Sequence, residues 1–351
     1  MRLHRTTTAV LALATVVALS ASACGRSSKS GGSAASGSAG SGGKIGIDFP
    51  QSDSDFWNSY AKYINDDVKS GNVDALSPTN SVNDVTKLVA NVQTLTGQGA
   101  KAIIMTPQDT GAVASTLDQL AAKNIQAVSV DTRPDKGKVY MVVRADNRAY
   151  GTKACDFLGQ KLNGKGTVVE FEGDLTSING RDRSEAFGDC MKQSYPNIKV
   201  LAEPTEWKGD VAAAKLQDAL NQGTVNGIYM QAGGVFLAPT ISLLQQKHLL
   251  VPPTDPKHIF IVSNDGIPAE FQAIKAGQID ATVSQPADLY AKYALFYAQA
   301  ALAGKTFQPG PTDHNSTIVS LPNGLEDQLP APLVTADNVG DPTLWGNQVG
   351  H

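Results

Sequence analysis

The sequence predicts an α/β fold built from two lobes, each with a parallel sheet covered by helices on both faces. Short apolar runs of strand length alternate with longer segments in which apolar residues recur at helical spacing. Alternating strands and helices form parallel sheets, because each strand-to-strand connection crosses over through a helix. The alternation occurs in two consecutive sets over residues 44–346, a stretch long enough for two domains of about 150 residues each.

The start of the chain, residues 1–24, is typical of a lipoprotein signal. Arg2 and Arg5 precede an apolar stretch at residues 9–19, and small residues then lead to Cys24. The apolar stretch is shorter than the about 20 residues that a transmembrane helix needs. We therefore expect Cys24 to carry a lipid. The alternative is an ordinary signal peptide followed by an unrelated cysteine.

Residues 25–43 are rich in Ser and Gly and contain almost no apolar side chain, so they predict a flexible linker. A lipid followed by such a linker holds a protein at the outer face of the cell membrane through the anchor alone. Loss of Arg2 and Arg5 with the signal reduces the 29 Lys and Arg to 27, against 33 Asp and Glu. This acidic balance, without a basic patch, excludes nucleic acid as an expected partner.

The first set of elements covers residues 44–143. Its strands are expected at Lys44–Phe49, 102–105, 127–130 and 141–143. The helix after the first strand spans residues 55–68, where apolar side chains recur once per helical turn. Further helices are expected to begin near Asn83 and Asp109, because Asn and Asp favour N-cap positions.

The second set repeats the same alternation. Its strands are expected at residues 167–171, 228–230, 260–262 and 282–283. Its helices are expected to start near residues 150, 180, 210, 235 and 267, with one more after Gln285.

Polar and aromatic side chains follow the carboxyl ends of the predicted strands, where open α/β sheets bind ligands. These candidates are Ser54, Phe56, Trp57, Asp131, Thr132, Arg133, Arg183, Trp207, Asp265 and Gln285. Aromatic rings stack on C–H faces, and charged groups form strong hydrogen bonds to pairs of hydroxyls. The mixture therefore favours a neutral, polyhydroxylated ligand.

Arg181 and Arg183 lie near the start of a predicted helix, where the positive end of the macrodipole disfavours cations. Two arginines at this position should therefore have partners. One interpretation is surface solubility. The other is a guanidinium directed into a cleft at polar ligand atoms.

Cys155 and Cys190 lie on the two predicted helices that flank the strand at residues 167–171. An exported chain meets an oxidising environment, so we expect a disulfide between them. Two separate buried thiols are the alternative.

An ordered series of short motifs resembles the ribose-binding-protein-like family of substrate-binding lipoproteins that serve ABC sugar importers, a group of periplasmic binding proteins of type I. The resemblance covers nearly all of residues 44–346. It is carried by residues 55–57, 88–95, 130–131, 145–147, 180–187, 264–266, 281–285, 335–339 and 344–346.

The resemblance implies two lobes, joined by three crossovers, that close on a sugar. It places residues 44–143 and 286–312 in the first lobe, and residues 144–285 and 313–346 in the second. By the same resemblance, Phe56 and Trp57 sandwich the sugar ring. The other implied ligand residues are Asp131, Arg183, Trp207, Asp265 and Gln285.

Two positions depart from the ribose pattern of this family. Thr132 occupies the place of an arginine, for which Arg133 could substitute, and Ala232 with Gly233 occupies the place of an asparagine. The ligand is therefore left open among a pentose, a hexose, a deoxysugar and a polyol.

The expected function is capture of this ligand outside the cytoplasm and delivery to the transmembrane subunits of an ABC permease. We expect a monomer that is not an enzyme and uses no metal or cofactor, because the histidines lack metal-ligand spacing and no phosphate loop or nucleophile elbow is present. The alternatives are a sugar-sensing lipoprotein that presents ligand to a receptor kinase, a sugar-active enzyme, and a transcription regulator with the same core.

Overall fold

The structure is a computed structural model that describes residues 43–349. The predicted signal, Cys24 and all of the linker except Gly43 lie outside the described residues. Within residues 43–349, no helix combines the length and the apolar character needed to cross a membrane.

The first sheet is built around parallel strands from the first half of the chain. Its described strands are β1 (Lys44–Phe49), β2 (Thr79–Asn80), β3 (Ala100–Met105), β4 (Gln126–Val130), β5 (Met141–Ala145), β11 (Gly310–Pro311), β12 (Thr317–Leu321) and β13 (Gly324–Leu329). They follow the order β11-β12-β13-β5-β4-β3-β1-β2. Only the β11–β12 and β12–β13 pairs among these described strands are antiparallel.

The second sheet is parallel except at one edge. Its described strands are β6 (Gly166–Glu172), β7 (Ile198–Pro204), β8 (Gly227–Met230), β9 (Phe260–Asp265), β10 (Ala281–Ser284) and β14 (Leu333–Thr335). They follow the order β14-β10-β9-β8-β6-β7, and β14 runs antiparallel to β10.

Helices cover both faces of each sheet. They are α1 (Asp55–Ser70), α2 (Val85–Gly97), α3 (Ala114–Ala122), α4 (Asn147–Lys161), α5 (Ile178–Ser194), α6 (Gly209–Gln222), α7 (Gly233–Gln246), α8 (Pro268–Lys275), α9 (Ala287–Leu302) and α10 (Trp345–Gln348). Buried side chains of α1 and α9 pack on one face of the first sheet, and those of α2 and α3 on the other. Helices α6, α7 and α8 cover one face of the second sheet, and α4 and α5 the other. The predicted α/β fold is confirmed.

The chain passes between the sheets at three places in the described region. It crosses from β5 to α4, returns from β10 to α9, and crosses again from β13 to β14. We call the first sheet with α1–α3 and α9 the first lobe, and the second sheet with α4–α8 the second lobe.

The expected assignment of residues 313–346 to the second lobe is wrong for its first part. Strands β12 and β13 form a hairpin whose second strand pairs in parallel with β5 of the first sheet. The switch to the second sheet comes only where β14 pairs with β10. Sequence patterning shows that a segment is a strand, but it does not show which sheet the strand joins. Both sheets have an edge at which a strand can pair, so tertiary packing decides between them.

The predicted disulfide is present. Cys155 on α4 and Cys190 on α5 are joined at an S–S distance of 2.02 Å, with their Cα atoms 6.2 Å apart. The two helices pack side by side on one face of the second sheet. The bridge therefore ties together the helix that enters the second lobe and the helix that carries both arginines.

Removal of this bridge should destabilise the protein. The bridge joins two residues with a sequence separation of 35. Loss of such a crosslink lowers the free energy of unfolding by about 2–4 kcal/mol, because the unfolded chain gains conformational entropy. We expect the Cys155→Ala/Cys190→Ala variant to unfold at lower urea concentration than the oxidised wild type. Reduced wild-type protein is the control for lost packing and should unfold close to the variant. Equal midpoints for oxidised and reduced wild type would contradict this expectation.

Candidate ligand-binding site

A cavity of about 50 Å³ lies where the carboxyl ends of the strands of the two sheets face each other. Both lobes and the crossover after β10 contribute to its wall. The lining residues are Gln51, Ser54, Phe56, Trp57, Asn83, Gln108, Asp131, Asn179, Arg183, Trp207, Ala232, Val235, Asp265 and Gln285. The structure therefore brings together all seven residues that were expected to contact ligand.

Arg183 is the buried cation of the cavity, with only 3% of its surface exposed. Its Nε donates to Asn147 Oδ1 at 2.7 Å, and its Nη2 donates to Gln285 Oε1 at 2.7 Å. Its Nη1 donates to the backbone carbonyl of Gln231. These acceptors come from α4, from the crossover and from the end of β8, so the guanidinium is held in one orientation.

Asp131 supplies a carboxylate from the first lobe and is also buried. Its Oδ2 accepts from Asn179 Nδ2 at 2.8 Å, and its Oδ1 accepts from Gln285 Nε2 at 3.1 Å. Burial raises the pKa of this carboxyl, while the Arg183 and Arg144 guanidinium groups act in the opposite direction. Gln285 thus accepts from Arg183 and donates to Asp131, and this double role fixes its amide.

Asp265 supplies the carboxylate of the second lobe at the end of β9. Its Oδ2 accepts from the backbone N–H of Gly234 at 2.8 Å, at the start of α7. Burial is the largest cause that raises its pKa to about 7, with a smaller contribution from the Asp131 carboxylate, while the Gly234 N–H and the Arg183 guanidinium act in the opposite direction. Neighbouring Glu270 is fully buried, and its pKa is raised by burial and then by Asp265.

The aromatic pair on α1 does not form the expected sandwich. Phe56 and Trp57 both line the cavity, but their rings meet edge to face, with centroids 5.0 Å apart and planes at 84°. Trp57 makes a second edge-to-face contact with Tyr60, 5.6 Å away, in the core of the first lobe. A sugar ring cannot lie between two perpendicular rings in contact, because stacking needs parallel faces at a greater separation.

Trp207 lines the opposite wall, from the second lobe. The Arg183 guanidinium lies 5.9 Å from its ring centroid. Gly173 lies directly against the ring, since a Cβ there would be 1.9 Å from a ring carbon. The indole Nε1 is buried and has no acceptor among the residues that the structure describes, and the same is true of Gln108 Nε2. Two residues of the cavity wall therefore each carry a buried N–H donor that no described protein group satisfies.

The other three candidates, Ser54, Thr132 and Arg133, do not all line the cavity. Ser54 lines the cavity and also caps α1, because its Oγ accepts from the backbone N–H of Trp57 at 3.4 Å. Neither Thr132 nor Arg133 is among the described lining residues. Arg133 instead lies 3.6 Å from the carboxylates of both Asp182 and Glu326, so it does not take the place of the missing arginine.

Sequence reasoning missed several amide side chains that line the cavity. Gln51, Asn83 and Gln108 each follow a strand of the first sheet, and Asn179 begins the arginine motif on α5. The position after a strand end was the available signal. Amides are also common in loops and caps, so this signal alone did not separate them from turn residues.

Residues 45–306 match a family model described as the periplasmic binding protein domain. The chain belongs to this family. Among curated relatives, the ribose import binding protein of Haemophilus influenzae is 27% identical, with 64% of this chain and 74% of the relative aligned. The xylitol-binding protein of Mycolicibacterium smegmatis is 26% identical, with 65% of this chain and 64% of the relative aligned.

A solved periplasmic binding protein has the same fold. The arabinose ABC transporter component of Shewanella sp. ANA-3, bound to L-arabinofuranose, superposes with a TM-score of 0.73. The match covers 87% of this chain and 96% of the solved chain at 20% sequence identity. At this identity the similarity establishes the two-lobed architecture of the present periplasmic binding protein.

The raised pKa of Asp265 should make the stability of this periplasmic binding protein fall with rising pH. The usual value is 3.8 and the folded value about 7, so the folded state binds the proton more tightly across this window. The stabilisation is fully present below about 4 and is lost as pH rises to about 7. We expect the melting temperature of wild type minus that of Asp265→Asn to decrease between pH 4 and 7 and then level off. A difference that stays constant with pH would contradict the raised pKa.

Proposed function

We propose that this protein captures a neutral polyhydroxylated molecule, a monosaccharide or a polyol, and delivers it to the permease of an ABC importer. The observation that carries the proposal is the convergence of Arg183, Asp131 and Asp265 with aromatic rings in one cavity between two lobes. The guanidinium suits acceptor oxygens, and the carboxylates suit hydroxyl donors. A hydroxyl both donates and accepts hydrogen bonds. A polyol can therefore pair with the guanidinium and with the carboxylates without bringing a charge of its own.

The two unsatisfied donors of the cavity support a ligand rich in oxygen. Trp207 Nε1 and Gln108 Nε2 are buried without an acceptor in the described region, and a buried donor without a partner costs about 1–3 kcal/mol. Hydroxyl oxygens of a bound sugar would remove this penalty. The Trp207 ring would at the same time present an apolar face to the C–H groups of the sugar.

The comparisons favour small sugars and polyols over other solutes. Curated relatives are named for ribose, xylitol, D-apiose and D-allose. Three of these four molecules have five carbons, and allose has six. We therefore place five-carbon sugars and polyols first in a ligand screen, followed by hexoses, deoxysugars and larger polyols.

The size of the cavity supports movement of the lobes. A cavity of about 50 Å³ is smaller than the about 150 Å³ that holds benzene in a protein interior, and a sugar is larger than benzene. We propose that residues 44–145 with 287–329 and residues 147–284 with 333–346 move as two halves about the three crossovers. Ligand enters when they separate and is enclosed when they close.

The lipid anchor and the location outside the cytoplasm are proposed from the signal, Cys24 and the linker in the sequence. The proposal includes a single copy of the chain as the working unit. It includes no catalytic step, so a bound sugar should be recovered chemically unchanged by mass spectrometry after prolonged incubation.

Calorimetric titration with a panel of sugars and polyols tests the binding proposal. We expect at least one member to bind wild type, and Arg183→Lys to weaken its binding by about 10- to 100-fold. Lysine keeps the charge but loses the forked hydrogen bonds, which contribute about 1.5–3 kcal/mol each.

Arg148→Lys is the matched control. Arg148 is an exposed arginine on α4 that pairs with Glu185 on the surface at 2.9 Å. It should bind like wild type, and thermal unfolding should show that both variants are folded. A panel without any binder, or equal losses for the two variants, would count against the proposed site.

Replacement of the anchoring cysteine tests the proposed location. We expect Cys24→Ser to move the protein from the membrane fraction to the soluble extracytoplasmic fraction, because thioether attachment of the lipid requires the sulfur. Immunoblots of fractionated cells measure this shift, with Cys155→Ala/Cys190→Ala as the control for loss of other cysteines. A Cys24→Ser protein that stays in the membrane fraction would contradict lipid anchoring.

A further inference from the structure

Arg181, the first arginine of the motif, has a role that ligand binding does not account for. It lies on α5 in the second lobe, between the cavity-lining residues Asn179 and Arg183, and 30% of its side chain is exposed. Its Nη1 donates to the carbonyls of Leu175 and Thr176 at 3.1 and 3.0 Å. One edge of the guanidinium thus holds the loop that leads into its own helix.

The other edge of the guanidinium reaches the first lobe. Arg181 Nη2 donates to Asp135 Oδ1 at 2.6 Å and to Thr110 Oγ1 at 3.2 Å. Asp135 lies between β4 and β5, and Thr110 lies between β3 and α3. Thr110 adds a second link, since its backbone N–H and its hydroxyl both donate to the Thr176 carbonyl, at 3.4 and 3.2 Å.

These contacts bridge the lobes beside the cavity without taking part in its wall. Arg181, Asp135, Thr110 and Thr176 are all absent from the described lining residues, whereas Arg183 is present. The two arginines therefore make different kinds of contact. Arg183 faces the cavity, and Arg181 joins the rims of the two lobes.

We propose that Arg181 and Asp135 form a clasp that holds the two lobes closed and sets ligand affinity without contacting the ligand. The inference rests on the proposed function in one respect, that the closed state is the one that retains sugar. Apparent affinity equals the intrinsic affinity multiplied by the fraction of molecules in the competent state. A contact made only when the lobes are closed raises that fraction.

The partial exposure of the clasp predicts its strength and its salt dependence. The side chains of Arg181 and Asp135 are 30% and 36% exposed. Pairs at such sites contribute modestly and are screened by salt. The clasp should therefore tune affinity severalfold, and its effect should shrink at high ionic strength.

The test compares Asp135→Asn with the matched control Glu185→Gln. Glu185 also pairs with an arginine at the surface, Arg148, but both partners belong to the second lobe. The primary measurement is single-molecule FRET on the full chain without sugar, with one dye on each lobe. We expect Asp135→Asn to shift molecules toward the open distance and Glu185→Gln to match wild type.

The second measurement is titration with D-ribose and xylitol. For whichever probe binds wild type, we expect about three- to tenfold weaker binding by Asp135→Asn, with the difference narrowing in 1 M NaCl. The charge-swapped Arg181→Asp/Asp135→Arg variant should recover part of the closed population. Thermal unfolding confirms that each variant is folded.

The outcomes separate the clasp from the proposed function. If no member of the full panel of sugars and polyols binds wild type, the proposed function fails, while the FRET comparison still decides the clasp. If sugar binds but Asp135→Asn and Glu185→Gln give the same FRET distribution, the clasp is overturned. A shift by Asp135→Asn alone supports it.

Discussion

A guanidinium buried between two sheets needs acceptors for its N–H groups, and the centre of this molecule is arranged around that need. Arg183 donates to Asn147, Gln285 and the Gln231 carbonyl, which belong to different segments of the chain. Gln285 in turn donates a hydrogen bond to Asp131 in the first lobe. Loss of either amide acceptor, Asn147 or Gln285, would leave a buried N–H of a charged group without a partner, and this costs more than the loss of a surface ion pair.

A second buried arginine continues the network away from the cavity. Arg144 Nη2 donates to Asn179 Oδ1 at 2.7 Å, and Asn179 in turn donates to Asp131. Arg144 also pairs with Asp182 at 3.0 Å. The carboxylate of Asp131 is therefore approached by one amide from each side, and each amide is oriented by an arginine. This arrangement holds the Asp131 carboxylate in one orientation. The neighbouring residue is Thr132, at the position where the resemblance implied an arginine.

Some of the residues with positive φ in the described region lie at or beside the cavity. Asp131, Glu206, Trp207 and Asp265 all have positive φ, at 63°, 53°, 56° and 111°. Such values are uncommon for residues with a side chain, and they persist where surrounding contacts over-determine the conformation. Three of these four residues line the cavity. Part of the backbone strain in the described region therefore lies in segments that place side chains in the cavity wall.

The sequence by itself determined the alternating strands and helices and the strand-to-helix segments that carry Asp131, Arg183 and Asp265. These features follow from local periodicity, and parallel topology then gathers the strand ends at one edge. The expected pairing of Cys155 with Cys190 came instead from the oxidising environment of an exported chain and from their positions on two neighbouring predicted helices. Only the tertiary structure decided that β12 and β13 join the first sheet, that Phe56 meets Trp57 edge to face, and that Arg133 turns to Asp182 and Glu326. The sheet that a strand joins, the angle between two rings and the partner of a charge all depend on groups distant in the chain. Local sequence patterns therefore do not predict them.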